Sequence, residues 1–262
     1  PNCKEPYLRL HSHNQIAYEE SLKLLENNKR VCIVQATGTG KSYIIASILL
    51  KFLRKNILFL SPSNYINLQF KMNKLKNPLV IVANGEFPTH SIPLGILDKA
   101  TSILACDGAA NTLIDHGIIP DIIIGDLDSL SNENKLKYKD RIIKIEDQSQ
   151  NDLKKAINYA KKNNIDNIFI LAATGKREDH LIGNIFSLLE YKDLNIKLFT
   201  NSGMFSCIHK SQKLESFKGQ QVSIFTSDNT IKITSNNLMY NFNNSNISTI
   251  YLGTLNESND DF

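Results

Sequence analysis

The chain has 262 residues, 42% hydrophobic and 21% charged, with a net charge of +4. This balance is ordinary for a globular protein, and no apolar run approaches the roughly 20 residues that span a bilayer. The N-terminal PNCKEPYLRL lacks a signal peptide's apolar core. The excess of 30 basic over 26 acidic residues is small and dispersed, which argues against nucleic acid as a partner, and four cysteines without CxxC pairing read as free thiols of a reducing, cytoplasmic compartment.

Residues 14–27 carry apolar positions at helical spacing, with Asn14 as a cap. RVCIVQ (30–35) is a short strand, ATGTG a turn, KSYIIASILLKFL a helix and NILFLSP (56–62) a second strand. Near residues 71–78 the pattern restarts. Strands are expected at 78–84, 101–106, 120–125, 141–146, 167–175 and 195–201, with helices after DGAAN, over 151–164 and after 179. Strands alternating with helices predict an open, mostly parallel sheet flanked by helices. Beyond residue 202 short alternating runs are joined by Asn, Ser and Gly, which predicts a small antiparallel β-domain. The expected divisions are therefore 1–71, 72–201 and 202–262. Pro1 at the start, the first methionine at Met72 and the NESNDDF ending suggest a fusion or a fragment of a longer frame, with the β-domain truncated.

QATGTGKS (35–42) has the makings of a phosphate loop. Backbone N–H groups and a helix N-terminus surround phosphates, with Lys41 as cation and Ser42 for magnesium; Gly38 and Gly40 supply the turn. Gln35 occupies the first Gly position of the strict motif. The stretch and its flanks resemble motif I and neighbouring motifs of superfamily 2 helicases, over residues 8–70. No apolar strand ends in the Asp-Glu pair that such an enzyme needs, so the expectation is a vestigial phosphate loop in a partial α/β unit.

Four clusters follow predicted strands: Asp107; Asp121, Asp126 and Asp128; Asp147, Gln148 and Asp152; and Arg177, Asp179 and His180. In an open α/β sheet, ligands bind beyond the carboxyl ends of the strands, so these clusters can share one crevice. Crowded carboxylates repel unless a cation joins them, and oxygen ligands point to Mg²⁺. Asp126 and Asp128 alternate around Leu127; in a strand they share a face, and in a turn they can still converge. With Arg177 for phosphate charge, this is an inventory for phosphoryl transfer.

DGAAN, PDIIIGDLDS, the Q-x-x-N-D-L-x-K-A of 148–156 and the G-x-R-x-D-H-x-x-x-N of 175–184 resemble thiamine pyrophosphokinases, in order and spacing, over residues 79–257. The resemblance implies an α/β domain followed by a β-sandwich, a homodimer, and transfer of a pyrophosphoryl group from ATP to thiamine, giving AMP and thiamine diphosphate. It implies Asp126 and Asp128 as magnesium ligands supported by Asp107 and Asp152. Gln148 contacts substrate or phosphate, Lys155 and Arg177 bind ATP phosphates, Asp179 and His180 lie beside the reacting groups, and Asn184 supports the ATP and thiamine pocket. Asp179 is expected to orient the thiamine hydroxyl. Asn256 and Glu257 are implied in thiamine binding, with Leu255 where the family has Ser. Asn151 stands where Thr is frequent, and Lys176 where Gly is frequent. Two other readings stay open: a single P-loop NTPase using QATGTGKS and IIIGD, and a nucleotide-binding fragment without activity.

Overall fold

The computed structural model describes residues 12–27, 47–48 and 75–261. The chain divides into two units, Pro1–Asn73 and Lys74–Phe262. In the first, helix α1 spans Ser12–Asn27, close to the expected 14–27, with Gln15 Nε2 donating to Glu19 Oε1 one turn on (2.8 Å). The expected strands at 30–35 and 56–62 lie outside the described residues, as does the phosphate loop with Gly38, Gly40, Lys41 and Ser42.

In the second unit, four apolar runs give short strands: β1 (Leu79–Val82), β2 (Ile103–Cys106), β3 (Ile122–Gly125) and β5 (Asn167–Leu171). With β4 (Ile142–Lys144), β6 (Asn195–Phe199) and β7 (Met204–Ser206) they form one sheet in the order β4-β3-β2-β1-β5-β6-β7. Every pairing is parallel except β6 with β7. β1 to β3 are buried throughout because helices cover both faces of the sheet, as a parallel sheet requires.

Alternate residues of one strand serve opposite cores. Leu79, Ile81, Leu104 and Ile122 pack with Leu153, Ala156, Ile157 and Ala160 of helix α5 (Asp152–Lys162). Val80, Val82, Ala105 and Ile123 pack with Leu97 of α2 (Ser91–Asp98) and with Ala109, Ala110 and Leu113 of α3 (Ala109–Asp115). The remaining helices are α4 (Asn132–Lys137) and α6 (Glu178–Ser187). Because β1 to β4 step outward in one direction and β5 to β7 in the other, the strand order reverses between β1 and β5. That switch point opens the crevice in which such sheets bind ligands.

The parallel architecture follows the sequence, but β7 adds a detail. It pairs antiparallel to β6, Leu198 opposite Phe205, so the large sheet continues past residue 202. Beyond it the antiparallel elements are small. β8 (Gln221–Val222) pairs with β11 (Asn256–Glu257), and β9 (Lys232–Ile233) with β10 (Ser245–Asn246). A bridge joins Leu238 to Ser258.

Candidate active site

The site is built where apolar strands stop and polar turns begin. β2 ends at Cys106, and Asp107 follows with φ 40°, a left-handed conformation that Asp tolerates better than most residues. Its backbone N–H donates to the Ile124 carbonyl (2.8 Å), which ties the turn to β3. β3 ends at Gly125; Asp126 follows, and Leu127 at φ 70° turns the chain so that Asp126 and Asp128 both come back toward Asp107. Carboxylate oxygens of Asp107, Asp126 and Asp128 lie within 4.8 Å of one another.

Burial separates the three. Asp107 is 2% exposed, Asp126 half-buried and Asp128 exposed. Asp107 Oδ2 accepts from the Ser129 N–H (3.0 Å), whereas Oδ1 is buried without a hydrogen-bond partner among the described residues. Burial pushes the Asp107 carboxyl up to about 6, against the opposing Ser129 N–H, with the Asp128 and Asp152 carboxylates adding to the rise. Asp128 is held below the usual range, chiefly because the Ser129 hydroxyl donates to its Oδ1 (2.8 Å). Asp126 Oδ2 accepts from Gln148 Nε2 (3.2 Å), which brings Gln148 to the cluster.

Asp152, the first residue of α5, stands behind Gly125. A Cβ on Gly125 would come 2.9 Å from Asp107 Cβ and 3.2 Å from Asp152 Cγ, so only glycine lets the two acids flank the end of β3. Asp152 is engaged by Lys155, whose Nζ donates to Oδ1 (2.9 Å). The Lys155 side chain is 3% exposed. Here Lys155 is a buried counter-charge under the carboxylates rather than a cation presented to solvent, and Asp152 lies beside the three-acid cluster, not in it.

The other wall comes from β1 and β5. Gly85 N–H donates to the Ala172 carbonyl (2.6 Å) and Glu86 N–H to the Thr174 carbonyl (2.8 Å); Ala172 has φ 54°. A Cβ on Gly85 would run into both carbonyl oxygens. Arg177 and Asp179 are exposed and form a two-bond pair (Nε to Oδ1 3.0 Å, Nη2 to Oδ2 2.6 Å), which raises the guanidinium and lowers the carboxyl. His180, also exposed, donates its backbone N–H to Asp179 Oδ1 (2.9 Å). Lys176 Nζ donates to Asn84 Oδ1 at the end of β1 (3.2 Å). Asn184 is buried, with Nδ2 donating to the Ala173 carbonyl (3.0 Å).

Some expected residues stand elsewhere. Asp121 lies before β3, at the opposite end from the cluster, where Oδ2 accepts from the Ile103 N–H (2.9 Å). Asp147 caps its own turn, accepting from the Ser149 N–H (2.9 Å). Asn256 is buried, and its amide is engaged with the Tyr240 backbone on both sides (3.0 and 2.7 Å). Glu257 is half-buried, and Leu255 is 90% exposed at φ 59°. Sequence reasoning passed over Ser129, which holds two of the three acids; its signal was a hydroxyl directly after the D-x-D step.

Two family models match the second unit in succession. The catalytic domain of thiamin pyrophosphokinase covers residues 95–200, and its substrate-binding domain covers residues 203–262. This unit belongs to the thiamin pyrophosphokinase family. A thiamine pyrophosphokinase of Bacillus subtilis is 34% identical over 124 residues, 45% of this chain and 57% of that protein. Thiamine pyrophosphokinase 1 of Oryza sativa subsp. japonica is 26% identical over 211 residues, 69% of this chain and 78% of its own. Among solved structures, the thiamine pyrophosphokinase from Bacillus subtilis superposes with a TM-score of 0.55 at 24% identity, covering 70% of this chain and 90% of the other. The enzyme from Candida albicans gives 0.54 at 21% identity, covering 78% and 90%. These superpositions carry the fold alone. A third model, the res subunit of type III restriction enzymes, matches residues 7–86, in agreement with a helicase-like N-terminal segment that precedes the thiamin pyrophosphokinase domains.

Proposed function

We propose that the chain transfers a pyrophosphoryl group from ATP to the hydroxyl of thiamine, with magnesium. The observation that carries this reading is the convergence of Asp107, Asp126 and Asp128, one of them with a buried oxygen that has no hydrogen-bond partner among the described residues. Such an oxygen costs about 1–3 kcal/mol unless something binds it. Hard carboxylate donors at this spacing fit Mg²⁺, held by one or two of them together with phosphate oxygens. Bound there, the ion would supply charge neutralisation for the phosphates. Gln148 donates to Asp126, Ser129 donates to both Asp107 and Asp128, and Lys155 offsets part of the charge of the fourth carboxylate, Asp152.

Arg177 and Asp179 face solvent as a preformed pair, so phosphate would reach the guanidinium by sharing or breaking it. Released from Arg177, Asp179 is the acceptor that can orient the thiamine hydroxyl. Pairing of two copies is supported by the apolar side chains exposed in the C-terminal region, among them Phe217 (62%), Tyr240 (67%) and Tyr251 (68%), and by Leu255. No helix among the described residues is long and apolar enough to cross a membrane.

The deciding experiment incubates the chain with ATP, Mg²⁺ and thiamine and resolves AMP, ADP and thiamine diphosphate. Thiamine-dependent AMP in equal amount with thiamine diphosphate is expected, and Lys41→Ala should leave it unchanged. Thiamine-independent ADP that disappears with Lys41→Ala would instead place turnover at the phosphate loop.

A further inference from the structure

We propose that Asn151 and Asn184 form a directional hydrogen-bond relay that positions the two halves of the site, and that Asn184 acts as a positioning residue rather than a ligand contact. The inference rests on the reading of the site given above.

Three bonds run in one direction. The Lys154 N–H donates to Asn151 Oδ1 (2.9 Å), Asn151 Nδ2 donates to Asn184 Oδ1 (3.1 Å), and Asn184 Nδ2 donates to the Ala173 carbonyl (3.0 Å). The ends are backbone groups of fixed polarity, a donor at Lys154 and an acceptor at Ala173. Each amide can therefore point only one way, and flipping either one sets two acceptors or two donors face to face. Asn184 is 7% exposed, so water is a poor substitute for the missing partner. Its amide oxygen and nitrogen are both engaged inside the protein.

The relay joins α5 to α6 and to the end of the β5 segment, and the Lys154–Glu190 ion pair (2.7 Å) ties α5 to the turn that follows α6. Asn151 caps α5, whose first residue Asp152 stands behind the carboxylate cluster and whose next turn carries Lys155. Ala173 ends the β5 segment that leads to Lys176 and Arg177. Asn184 lies on α6, whose first turn carries Asp179 and His180. Metal-side and phosphate-side groups thus share one internal reference. A misplacement of about 1 Å between reacting groups can lower turnover about a hundredfold.

Polarity gives a clean test. Asn151→Asp keeps a helix cap of equal quality but removes the Nδ2 donor that faces Asn184 Oδ1. Asn151→Thr keeps the direction, since one hydroxyl accepts from Lys154 and donates to Asn184. Asn184→Asp breaks the far end by turning an acceptor toward the Ala173 carbonyl. For Asn151→Asp and Asn184→Asp we expect kcat to fall at least about tenfold. KM for ATP and thiamine should stay within about threefold, because no ligand contact is lost. Thermal midpoints should drop roughly 2–8 °C. Asn151→Thr should hold kcat within about threefold of wild type. Full turnover in Asn151→Asp, or equal losses in Asn151→Asp and Asn151→Thr, would overturn the relay. If the wild-type chain forms no thiamine-dependent AMP, the activity reading fails by itself. The relay is then judged by a thermal-unfolding cycle of Asn151→Ala and Asn184→Ala: the double variant should lose less than the two singles together, and strict additivity would refute it.

Discussion

Replacing Asp107 by Asn should strengthen the metal-free fold while abolishing activity. The carboxyl is 2% exposed, has one oxygen without a partner and is pushed up to about 6 from 3.8. A rise of about two units corresponds to up to about 3 kcal/mol of penalty on the charged form at pH 7; the neighbouring acids share in it, so roughly 1–3 kcal/mol is expected for this group. Asn is isosteric, tolerates φ 40°, still accepts from Ser129 and presents a donor to Asp128. The sign follows from proton counting. Between about 4 and 6 the folded state holds more of this proton than the unfolded state, so its contribution to stability falls as pH rises through that window. The assay is thermal unfolding of the 74–262 unit, followed by circular dichroism with a chelator from pH 5 to 7.5. At pH 7 the variant should melt about 2–10 °C above wild type, and the gap should narrow toward pH 5. Added Mg²⁺ should raise wild type and leave the variant unmoved. A variant less stable than wild type at pH 7 without metal would refute the argument that this carboxylate is held at a cost.

Asp126→Asn should lower thiamine-dependent AMP formation at least about a hundredfold, as loss of a charge-stabilising group does, with no large change in melting; retained turnover would remove Asp126 from the metal site. Gly85→Ala should cost about 2–3 kcal/mol in denaturant unfolding, because the new methyl meets two backbone carbonyls that cannot give way without breaking the Gly85–Ala172 and Glu86–Thr174 bonds. Lys155→Met should cost about 2–4 kcal/mol by leaving Asp152 unpaired beside Asp107. Adding Asp152→Asn should recover more than half of that stability, and a single variant as stable as wild type would show the pair to be idle.

The parts of the fold readable in the sequence are those in which one physical signal acts alone. LVIV, ILAC and IIIG are unbroken apolar runs stopped by Asn-Gly, Asp-Gly and Gly-Asp, and each became a fully buried parallel strand. Helix α5 declared itself through its amphipathic pattern and the cap at Asn151. Helix α2 was invisible because SIPLGILD holds Pro93 and Gly95 and shows no polar face; it forms through the His90 cap and the burial of Pro93 and Leu97. Helix α4 buries no residue, so no periodicity marks it. At the site, the carboxylates were legible by type and by their place after strands. The burial of Lys155 was not, because lysine is among the residues least often buried and only the i−3 carboxylate makes it tolerable. Nor was the internal engagement of Asn184, since its partners lie 11 and 33 residues away in sequence.

The left-handed residues at the strand ends, Asp107, Leu127 and Ala172, bear on how this protein would respond to directed evolution. Each holds an L side chain in a conformation that costs about 1–2 kcal/mol, and each lies on the crevice. A library screened only for heat tolerance would therefore enrich glycine at 127 and 172 and asparagine at 107, and its survivors would map onto the crevice rather than onto the core. Screened for turnover, the same three positions would be the first to revert. Heat tolerance is better sought on the outer face of α4, which buries no residue and carries none of the site's side chains.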